Sequence, residues 1–301
     1  MTAIGWGKLI LLGEHAVVYG YPALAAALDR GVTIAPVPTT KGGMRIDIPG
    51  WNVAVRADDD HPVARCLSAI ADALELGRPA LSLVGDAQIP FGAGLGSSAA
   101  LAVAVARALL AHAKRPLTAS ALEHAATASE MIVHGKPSGV DVALAIAGGV
   151  GVFRRSTGLR AIACPALRVL VGPSGEPRST GVMVQRVAEA TESNRDDNRL
   201  SELGALTDDG TRALVARDLV ALGAAMNRAH GVLAELGVST PLIDSLCEAA
   251  RVSGAHGAKL TGAGGGGAVI AIAPRDKEAA ILTEWRAAGV TGFVATIGAR
   301  T

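Results

Sequence analysis

One stretch of the sequence carries glycine at alternate positions, Pro90-Phe91-Gly92-Ala93-Gly94-Leu95-Gly96-Ser97-Ser98-Ala99-Ala100. Glycine lets the backbone approach a ligand closely, and the first N–H groups of a helix are unpaired and partially positive. Because an Ala-, Val- and Leu-rich stretch over residues 101–112 follows, the motif predicts a phosphate cradle at a helix start. The serines add hydroxyl groups, one of which could reach a metal ion held by that phosphate. A glycine-rich turn with Ser97 or Ser98 as the N-cap is the structural alternative.

A second stretch combines two carboxylates and a histidine, Glu130-Met131-Ile132-Val133-His134-Gly135-Lys136-Pro137-Ser138-Gly139-Val140-Asp141. Glu130 lies near the end of a predicted helix, where the helix dipole disfavours a carboxylate, and a bound cation would compensate for that cost. The glycines and the proline of the string predict a fixed loop that places Asp141 at the start of an apolar segment. An aspartate in that position would otherwise be an N-cap.

Polar groups also border the first predicted strand. Lys8 begins this strand, and the string Gly13-Glu14-His15-Ala16-Val17-Val18-Tyr19-Gly20 follows it. Three polar side chains are therefore expected beside an apolar segment. Solvated charges at the ends of a strand are the alternative interpretation.

The last glycine-rich string, Lys259-Leu260-Thr261-Gly262-Ala263-Gly264-Gly265-Gly266-Gly267-Ala268, lies between two predicted strands. A flexible linker is uncommon in that position, so the string predicts an ordered loop. Another string, Pro177-Arg178-Ser179-Thr180, precedes a predicted helix. Thr180 could be the N-cap of this helix, a substrate contact, or both.

Apolar periodicity predicts the elements that must position these groups. His230 lies on one of the predicted helices and is expected to be a packed or surface residue rather than a ligand. Strands are predicted over residues 8–12, 32–37, 45–48, 51–55, 81–84, 167–171, 258–260, 269–273 and 293–297. Helices are predicted over residues 61–76, 101–112, 118–134, 181–192, 198–206, 211–236, 241–253 and 277–288.

Composition narrows the class of protein. With 301 residues, of which 50% are hydrophobic and 18% charged, the chain can bury the cores of two domains, and disorder is excluded. A net charge of +1 without a basic cluster argues against nucleic acid as a partner. Three scattered cysteines indicate reduced thiols in a cytoplasmic protein. Neither a signal-peptide pattern nor an apolar run of membrane-spanning length is visible.

The first string resembles the ATP-binding motif of the GHMP kinases, which include galactokinases, homoserine kinases, mevalonate kinases and phosphomevalonate kinases. It matches Pro-x-Gly-x-Gly-Leu-Gly-Ser-Ser-Ala at every position. Residues 7–20 and 134–141 resemble mevalonate kinases more than the other members, and residues 259–268 resemble the superfamily's C-terminal glycine-rich motif. The metal-binding glutamate of that family lies eleven residues before its catalytic aspartate, as Glu130 lies before Asp141.

The resemblance implies an α+β fold with two domains. These are an N-terminal ribosomal-protein-S5-like domain that binds ATP, over residues 1–163, and a C-terminal ferredoxin-like domain over residues 164–301. It also implies a cytoplasmic kinase of isoprenoid biosynthesis, which phosphorylates the primary 5-hydroxyl of (R)-mevalonate to give 5-phosphomevalonate and ADP. The expected cofactors are ATP and Mg²⁺. The expected partners are a small-molecule alcohol and a second copy of the chain, with no nucleic acid and no membrane.

The resemblance further implies a role for each motif residue. Asp141 would accept the hydroxyl proton, and Lys8 would stabilise the charge that develops on the oxygen. Ser98 and Glu130 would hold Mg²⁺. The nucleotide would be bound by Pro90, Gly92, Ala93, Gly94, Leu95, Gly96, Ser97, Ser98, Ala99, Gly264 and Gly265. The substrate would be bound by Glu14, His15, Ser138, Thr180, Gly262 and Ala263.

Three residues depart from the family pattern. Val142, Ala145 and Ile146 stand where polar residues, often Asn and a Ser-Thr pair, are common. They predict an apolar acceptor pocket in which Ala145 and Ile146 flank the methyl group of mevalonate.

Other activities stay open at this point. A phosphorylated acceptor would require a cluster of Lys and Arg, and the motifs offer little beyond Lys8, Lys136 and Arg178. Phosphomevalonate kinase and homoserine kinase are the alternatives within the superfamily. A non-catalytic nucleotide-binding relative is the alternative from another class.

Overall fold

The computed structural model describes residues 2–39, 42–135, 137–176, 179–192 and 197–298, so Lys136, Pro177 and Arg178 lie outside the described residues. The described residues form eleven β-strands and nine α-helices. The strands are β1 (Ala3–Leu12), β2 (Ala23–Pro38), β3 (Met44–Ile48), β4 (Val53–Arg56), β5 (Leu81–Ala87), β6 (Val150–Arg154), β7 (Gly158–Ala161), β8 (Leu167–Pro173), β9 (Gly257–Thr261), β10 (Ala268–Ile272) and β11 (Phe293–Ile297). The helices are α1 (Pro62–Ala73), α2 (Ser97–His112), α3 (Ala119–His134), α4 (Val140–Ala147), α5 (Thr180–Glu192), α6 (Arg199–Ala216), α7 (Leu219–Glu235), α8 (Pro241–Val252) and α9 (Glu278–Ala287). No helix in these segments has the length and apolar character needed to cross a membrane.

The chain divides into two compact units that do not follow chain order, because β1 and β2 contribute residues to both. The first unit consists of Met1–Lys8, Asp29–Phe91 and Gly96–Gly148. The second unit consists of Leu9–Leu28, Gly92–Leu95 and Gly149–Thr301. The domain boundary between residues 163 and 164 stays a prediction.

In the first unit, β4, β3, β5 and the second half of β2 pair in that order, with β3 and β5 parallel and the other pairs antiparallel. Buried and exposed residues alternate along β5, so one face of the sheet is covered and the other meets solvent. Helix α2 packs against α1, α3 and α4, and its alanines, valines and leucines are buried on nearly every side. Gly5 of β1 allows α2 to pack closely against the strand, since a Cβ at this position would lie 1.9 Å from the carbonyl oxygen of Ala100. The helix that follows the phosphate-cradle motif is therefore a core element.

In the second unit, the first half of β2 pairs with β6, which pairs with β7. A separate antiparallel sheet has the strand order β11-β8-β10-β9. Helices α5 to α8 connect β8 to β9, and α9 connects β10 to β11, which is the β-α-β-β-α-β order of a ferredoxin-like domain. Both units combine helices with sheet, and the predicted α+β class is confirmed.

The predicted helix break at residues 207–210 is wrong. Helix α6 runs through this segment because Thr207 and Gly210 are buried within it. It ends at Ala216, and its C-cap Arg217 adopts a left-handed φ of 61°. Asp218 then caps α7 by accepting a 2.9 Å hydrogen bond from the N–H of Ala221. Strands β6 and β7 were not predicted, and β1 and β2 are longer than their apolar stretches indicate.

Candidate active site

The phosphate-cradle motif forms a loop that runs directly into α2. Gly92, Gly94 and Gly96 have φ values of 74°, 81° and 72°, which side chains rarely allow. Gly96 is the N-cap of α2 and makes no side-chain cap hydrogen bond, so the alternative in which Ser97 or Ser98 caps the helix is wrong. A loop of this conformation at a helix N-terminus presents backbone N–H groups to an anion.

Lys8 and Asp141 form an ion pair within the first unit. The ammonium Nζ of Lys8 lies 3.2 Å from Oδ1 of Asp141, and the two side chains are 4% and 27% exposed. Lys8 lies within β1, and Asp141 is the second residue of α4. Gly139, with a φ of 89°, is the N-cap of α4, so Asp141 is not the cap. The pair joins the buried ammonium group of Lys8 to a carboxylate that solvent can reach.

Glu130 supplies a second carboxylate, in the last turn of α3. The residue is only 1% exposed, and its Oε1 has no hydrogen-bond partner among the described residues. The pKa of Glu130 is raised to about 7, chiefly by burial and secondly by the charge of Asp141, whereas a hydrogen bond from Ser98 and the charge of Lys8 act in the opposite direction. A buried carboxylate oxygen without a hydrogen-bond partner is suited to bind a cation.

The start of α2 and the end of α3 meet at this carboxylate. The hydroxyl of Ser98 lies 3.5 Å from Nε2 of His134, and the same nitrogen lies 3.7 Å from Oε2 of Glu130. In the part of the chain that the structure describes, no three His, Cys, Asp or Glu side chains form a metal-binding group. A cation bound by Glu130 would therefore complete its coordination with a hydroxyl, water and phosphate oxygens, as Mg²⁺ commonly does.

The second unit contains a buried ion pair between Glu14 and Lys259. Both side chains are 0% exposed, and Nζ of Lys259 also donates a 2.6 Å hydrogen bond to the carbonyl of Leu260. Next to Glu14, His15 adopts a φ of 60°, and its Nε2 lies 2.8 Å from the carbonyl oxygen of Ala263. Burial lowers the pKa of His15, and the charge of Lys259 lowers it further. The neutral His15 ring therefore donates from Nε2 to Ala263.

The C-terminal glycine-rich string is held by packing and is not a flexible linker. Gly262, Gly264 and Gly265 have φ values of 85°, 76° and 66°. A Cβ on Gly264 would lie 2.1 Å from the carbonyl oxygen of Val238, and one on Gly265 would lie 2.5 Å from Sδ of Met183. The N–H of Gly265 donates a 2.8 Å hydrogen bond to that same carbonyl of Val238. Glycine is thus required at both positions.

The remaining predicted residues lie near helix starts. Thr180 is the first residue of α5, and the N–H of Val182 lies 3.5 Å from Oγ of Ser179, so Ser179 occupies the capping position expected of Thr180. Ser138 is half-buried in the loop before α4.

Two of the three departures from the family pattern lie in the core. Val142 and Ala145 of α4 are 2% and 0% exposed, and Ile146 is half-buried. Ala145 is therefore not placed to flank a substrate methyl group, and the departures at Val142 and Ala145 concern packing.

Sequence reasoning missed two residues of these groups. Lys259 starts the last glycine-rich string and carries no predicted role, although a lysine within a buried apolar strand requires a partner, which the structure shows to be Glu14. His134 belongs to the second motif and carries no predicted role, and its position one turn after Glu130 on α3 is the available signal for their proximity.

Comparison with known proteins identifies related sequences. The model of the GHMP kinases N terminal domain matches residues 61–149, and that of the GHMP kinases C terminal domain matches residues 211–291. The mevalonate kinase of Pyrococcus abyssi (strain GE5 / Orsay) is 34% identical over 314 residues, which cover 96% of this chain and 93% of that protein.

Solved structures give the same relationship. The crystal structure of L. major mevalonate kinase in complex with R-mevalonate superposes with a TM-score of 0.89 at 28% identity, covering 99% of this chain and 96% of that one. The Methanococcus jannaschii mevalonate kinase superposes with a TM-score of 0.86 at 26% identity, covering 99% and 98%.

Replacing Glu130 with Gln is expected to stabilise the metal-free protein at alkaline pH. The folded-state pKa of about 7 lies above the ordinary value of 4.5, so the contribution of this group to stability is complete below pH 4.5 and is lost as pH rises through 7. The advantage of the variant should therefore grow by on the order of 2–3 kcal/mol across this window.

Urea unfolding in the presence of a chelator, at about pH 5 and about pH 8, measures this difference. Glu123→Gln, an exposed glutamate of the same helix, is the matched control. Equal effects of both substitutions at both pH values would contradict the assignment of the raised pKa to burial.

Proposed function

Because this chain belongs to the mevalonate kinases of the GHMP kinase family, we propose that it transfers the γ-phosphoryl group of ATP to the primary 5-hydroxyl of (R)-mevalonate, giving 5-phosphomevalonate and ADP. The observation that carries the proposal is the ion pair of Lys8 and Asp141 beside the buried carboxylate of Glu130. Phosphoryl transfer requires alignment, charge neutralisation and an acceptor for the hydroxyl proton. These three residues supply the last two requirements.

The loop before α2 is assigned to the nucleotide. Its backbone N–H groups and the first turn of α2 would bind the phosphates, because both present positive partial charge. Gly264 and Gly265 would add a second glycine-rich backbone surface. The residues assigned to ATP are Pro90, Gly92, Ala93, Gly94, Leu95, Gly96, Ser97, Ser98, Ala99, Gly264 and Gly265.

Ser98 and Glu130 are assigned to Mg²⁺. The buried Oε1 of Glu130 and the raised pKa of its carboxyl group fit a cation, which would favour the ionised form. When bound, Mg²⁺ neutralises the charge of the β- and γ-phosphates during transfer. Lys8 and Mg²⁺ together would balance the charges of Glu130 and Asp141.

Asp141 is assigned as the acceptor of the substrate proton. Its carboxylate is partly exposed and lies against Lys8, so a hydroxyl group can approach it from the solvent side. The ammonium group of Lys8 would stabilise the negative charge that develops on the attacking oxygen. Lys8 is itself buried and would remain in place throughout the reaction.

The acceptor is assigned to residues from both ends of the chain. With Nε2 of His15 directed to Ala263, Nδ1 is the nitrogen that would accept a hydrogen bond from the substrate. Glu14 pairs with Lys259 and is fully buried, so we assign it to positioning His15 rather than to direct contact. Ser138, Thr180, Gly262 and Ala263 complete the proposed contacts.

The cellular and oligomeric properties stay predictions. We expect a cytoplasmic enzyme whose partners are ATP and a small-molecule alcohol. The expected homodimer can be measured by light scattering coupled to size exclusion.

The substrate assignment predicts a specific product. Incubation with ATP, Mg²⁺ and each of mevalonate, 5-phosphomevalonate, homoserine and galactose, followed by ³¹P NMR, should give a new phosphomonoester from mevalonate alone. Turnover of another acceptor in place of mevalonate would show that the substrate is wrong within the family. Binding of ATP without turnover of any of these acceptors would favour a non-catalytic relative.

Asp141→Asn is expected to reduce kcat by about 10²–10⁴, because the proton acceptor is removed, while ATP affinity and folding are retained. Steady-state kinetics with a single-turnover measurement of the chemical step tests this. Asp86→Asn, an exposed aspartate of β5, is the control and should behave as wild type. The assignment is wrong if Asp141→Asn keeps more than half of wild-type kcat under conditions where chemistry limits the rate.

Ser98→Ala and Glu130→Gln are expected to act as a coupled pair. If both residues hold one Mg²⁺, loss of either disturbs the same ion, so the double variant should lose less activity than the product of the two single losses. A double-mutant cycle of kcat/KM at fixed free Mg²⁺ measures the coupling. Strict multiplicativity would argue against a shared ion.

A further inference from the structure

One edge of β9 is completed by side chains and not by another strand. In the described part of the second unit's four-stranded sheet, β9 is the last strand and pairs only with β10. In an antiparallel pair, alternate residues direct their N–H groups away from the partner strand. Side chains of α7 accept hydrogen bonds from two such groups. The N–H of Ala258 donates to Oδ1 of Asn227 at 2.9 Å, and that of Leu260 donates to Nδ1 of His230 at 3.4 Å.

Two glycines explain how α7 reaches this edge. A Cβ on Gly223 of α7 would lie 2.4 Å from the backbone of His256, and one on Gly257 of β9 would lie 2.2 Å from the carbonyl oxygen of Gly223. The helix and strand backbones are therefore in direct contact. Gly223, Asn227 and His230 are spaced by four and three residues, which places all three on one face of α7.

The neighbours of His230 fix its protonation state. The N–H of Leu260 can only donate, so Nδ1 of His230 accepts, and Nε2 then carries the proton and donates to Oδ1 of Asp244 at 3.1 Å. Burial and the charge of Lys259 lower the pKa of His230 to about 4, although the charge of Asp244 acts in the opposite direction. The ring is thus a neutral acceptor toward β9 at neutral pH.

Strand β9 carries residues on which the proposed acceptor site depends. Lys259 pairs with Glu14, and Oγ1 of Thr261 accepts from the N–H of Ile10 at 2.9 Å and donates to its carbonyl at 3.0 Å. The strand then continues into residues 262–267, whose Ala263 carbonyl lies against His15. The position of β9 therefore determines where the loop of residues 262–267 begins.

We propose that Asn227 and His230 are positioning residues, which hold the edge of β9 so that residues 262–267 and His15 are placed for the acceptor. The role given to this loop rests on the proposed function. The hydrogen bonds themselves do not, and they can be tested separately.

Two substitutions at His230 separate its hydrogen bonds. His230→Asn keeps an acceptor near the position of Nδ1, whereas His230→Gln keeps a polar group near Nε2, toward Asp244, and removes the acceptor for Leu260. Loss of the acceptor leaves a buried N–H without a partner. We expect His230→Gln to raise KM for mevalonate about tenfold with little change in kcat, because Lys8, Glu130 and Asp141 lie on other elements.

The experiment combines kinetics with hydrogen exchange of the full chain. His230→Gln should accelerate exchange of the Leu260 amide and of residues 262–267 about tenfold, and His230→Asn should restore both exchange and KM toward wild type. Asn227→Leu, which removes the bonds to Ala258 and His256, should reproduce the changes seen in His230→Gln.

Several outcomes would overturn the proposal. Unchanged exchange over residues 258–267 in His230→Gln would show that the edge does not depend on this bond. A lower melting temperature with unchanged KM, or equal KM in the Asn and Gln variants, would show that His230 only stabilises the fold and does not position the acceptor site. If the wild type does not phosphorylate mevalonate, the proposed function fails, and the exchange measurement still decides whether His230 holds the edge of β9.

Discussion

A buried carboxylate that the protein does not fully neutralise is the constraint on which the candidate active site depends. Glu130 has a buried oxygen without a hydrogen-bond partner among the described residues, and its pKa is raised first by burial and then by the charge of Asp141. Neighbouring carboxylates resist simultaneous ionisation unless positive charge compensates. Lys8 supplies one positive charge, at 3.2 Å from Asp141. A second cation would favour the ionised form of Glu130 at neutral pH, and this is the physical reason for proposing Mg²⁺ here.

The side chain of Lys8 also constrains the phosphate loop sterically. A Cβ on Gly96, the N-cap of α2, would lie 2.7 Å from Cγ of Lys8. Gly96 is therefore required both by its left-handed φ of 72° and by the lysine stem packed beneath it. Because the stem of Lys8 supports the loop while its ammonium group meets Asp141, one side chain couples the shape of the proposed phosphate cradle to the charge of the proposed proton acceptor. A substitution at Lys8 would disturb both.

The sequence predicts the features that depend on residues close together in the chain. Helix α3 matches its predicted bounds to within one residue, with Thr118 as its N-cap accepting a 3.2 Å hydrogen bond from the N–H of Ala121, and β11 has the predicted bounds. Contacts between distant segments could not be predicted, because periodicity indicates which residues are buried but not what they meet. Glu14 and Lys259 are 245 positions apart, and only the fold makes them partners. For the same reason, the sequence predicts a break at residues 207–210, whereas α6 continues through them with Gly210 packed against Leu12, since glycine in a helix is tolerated where close packing requires it.

Lys8 and Lys259 show that exposure of the partner decides what a buried lysine can do. The pair of Lys259 with Glu14 is closed to solvent on both sides, and breaking such a pair leaves an uncompensated charge at a cost of about 3–5 kcal/mol. Burial lowers the pKa of Lys259, and the charge of Glu14 opposes this shift. Asp141 is 27% exposed, so it can meet a substrate hydroxyl while Lys8 stays buried. A pair closed to solvent suits a fixed support, and a pair with one partly exposed member suits proton transfer. The closed pair lies in the second unit, and the proposed proton acceptor, Asp141, lies in the first.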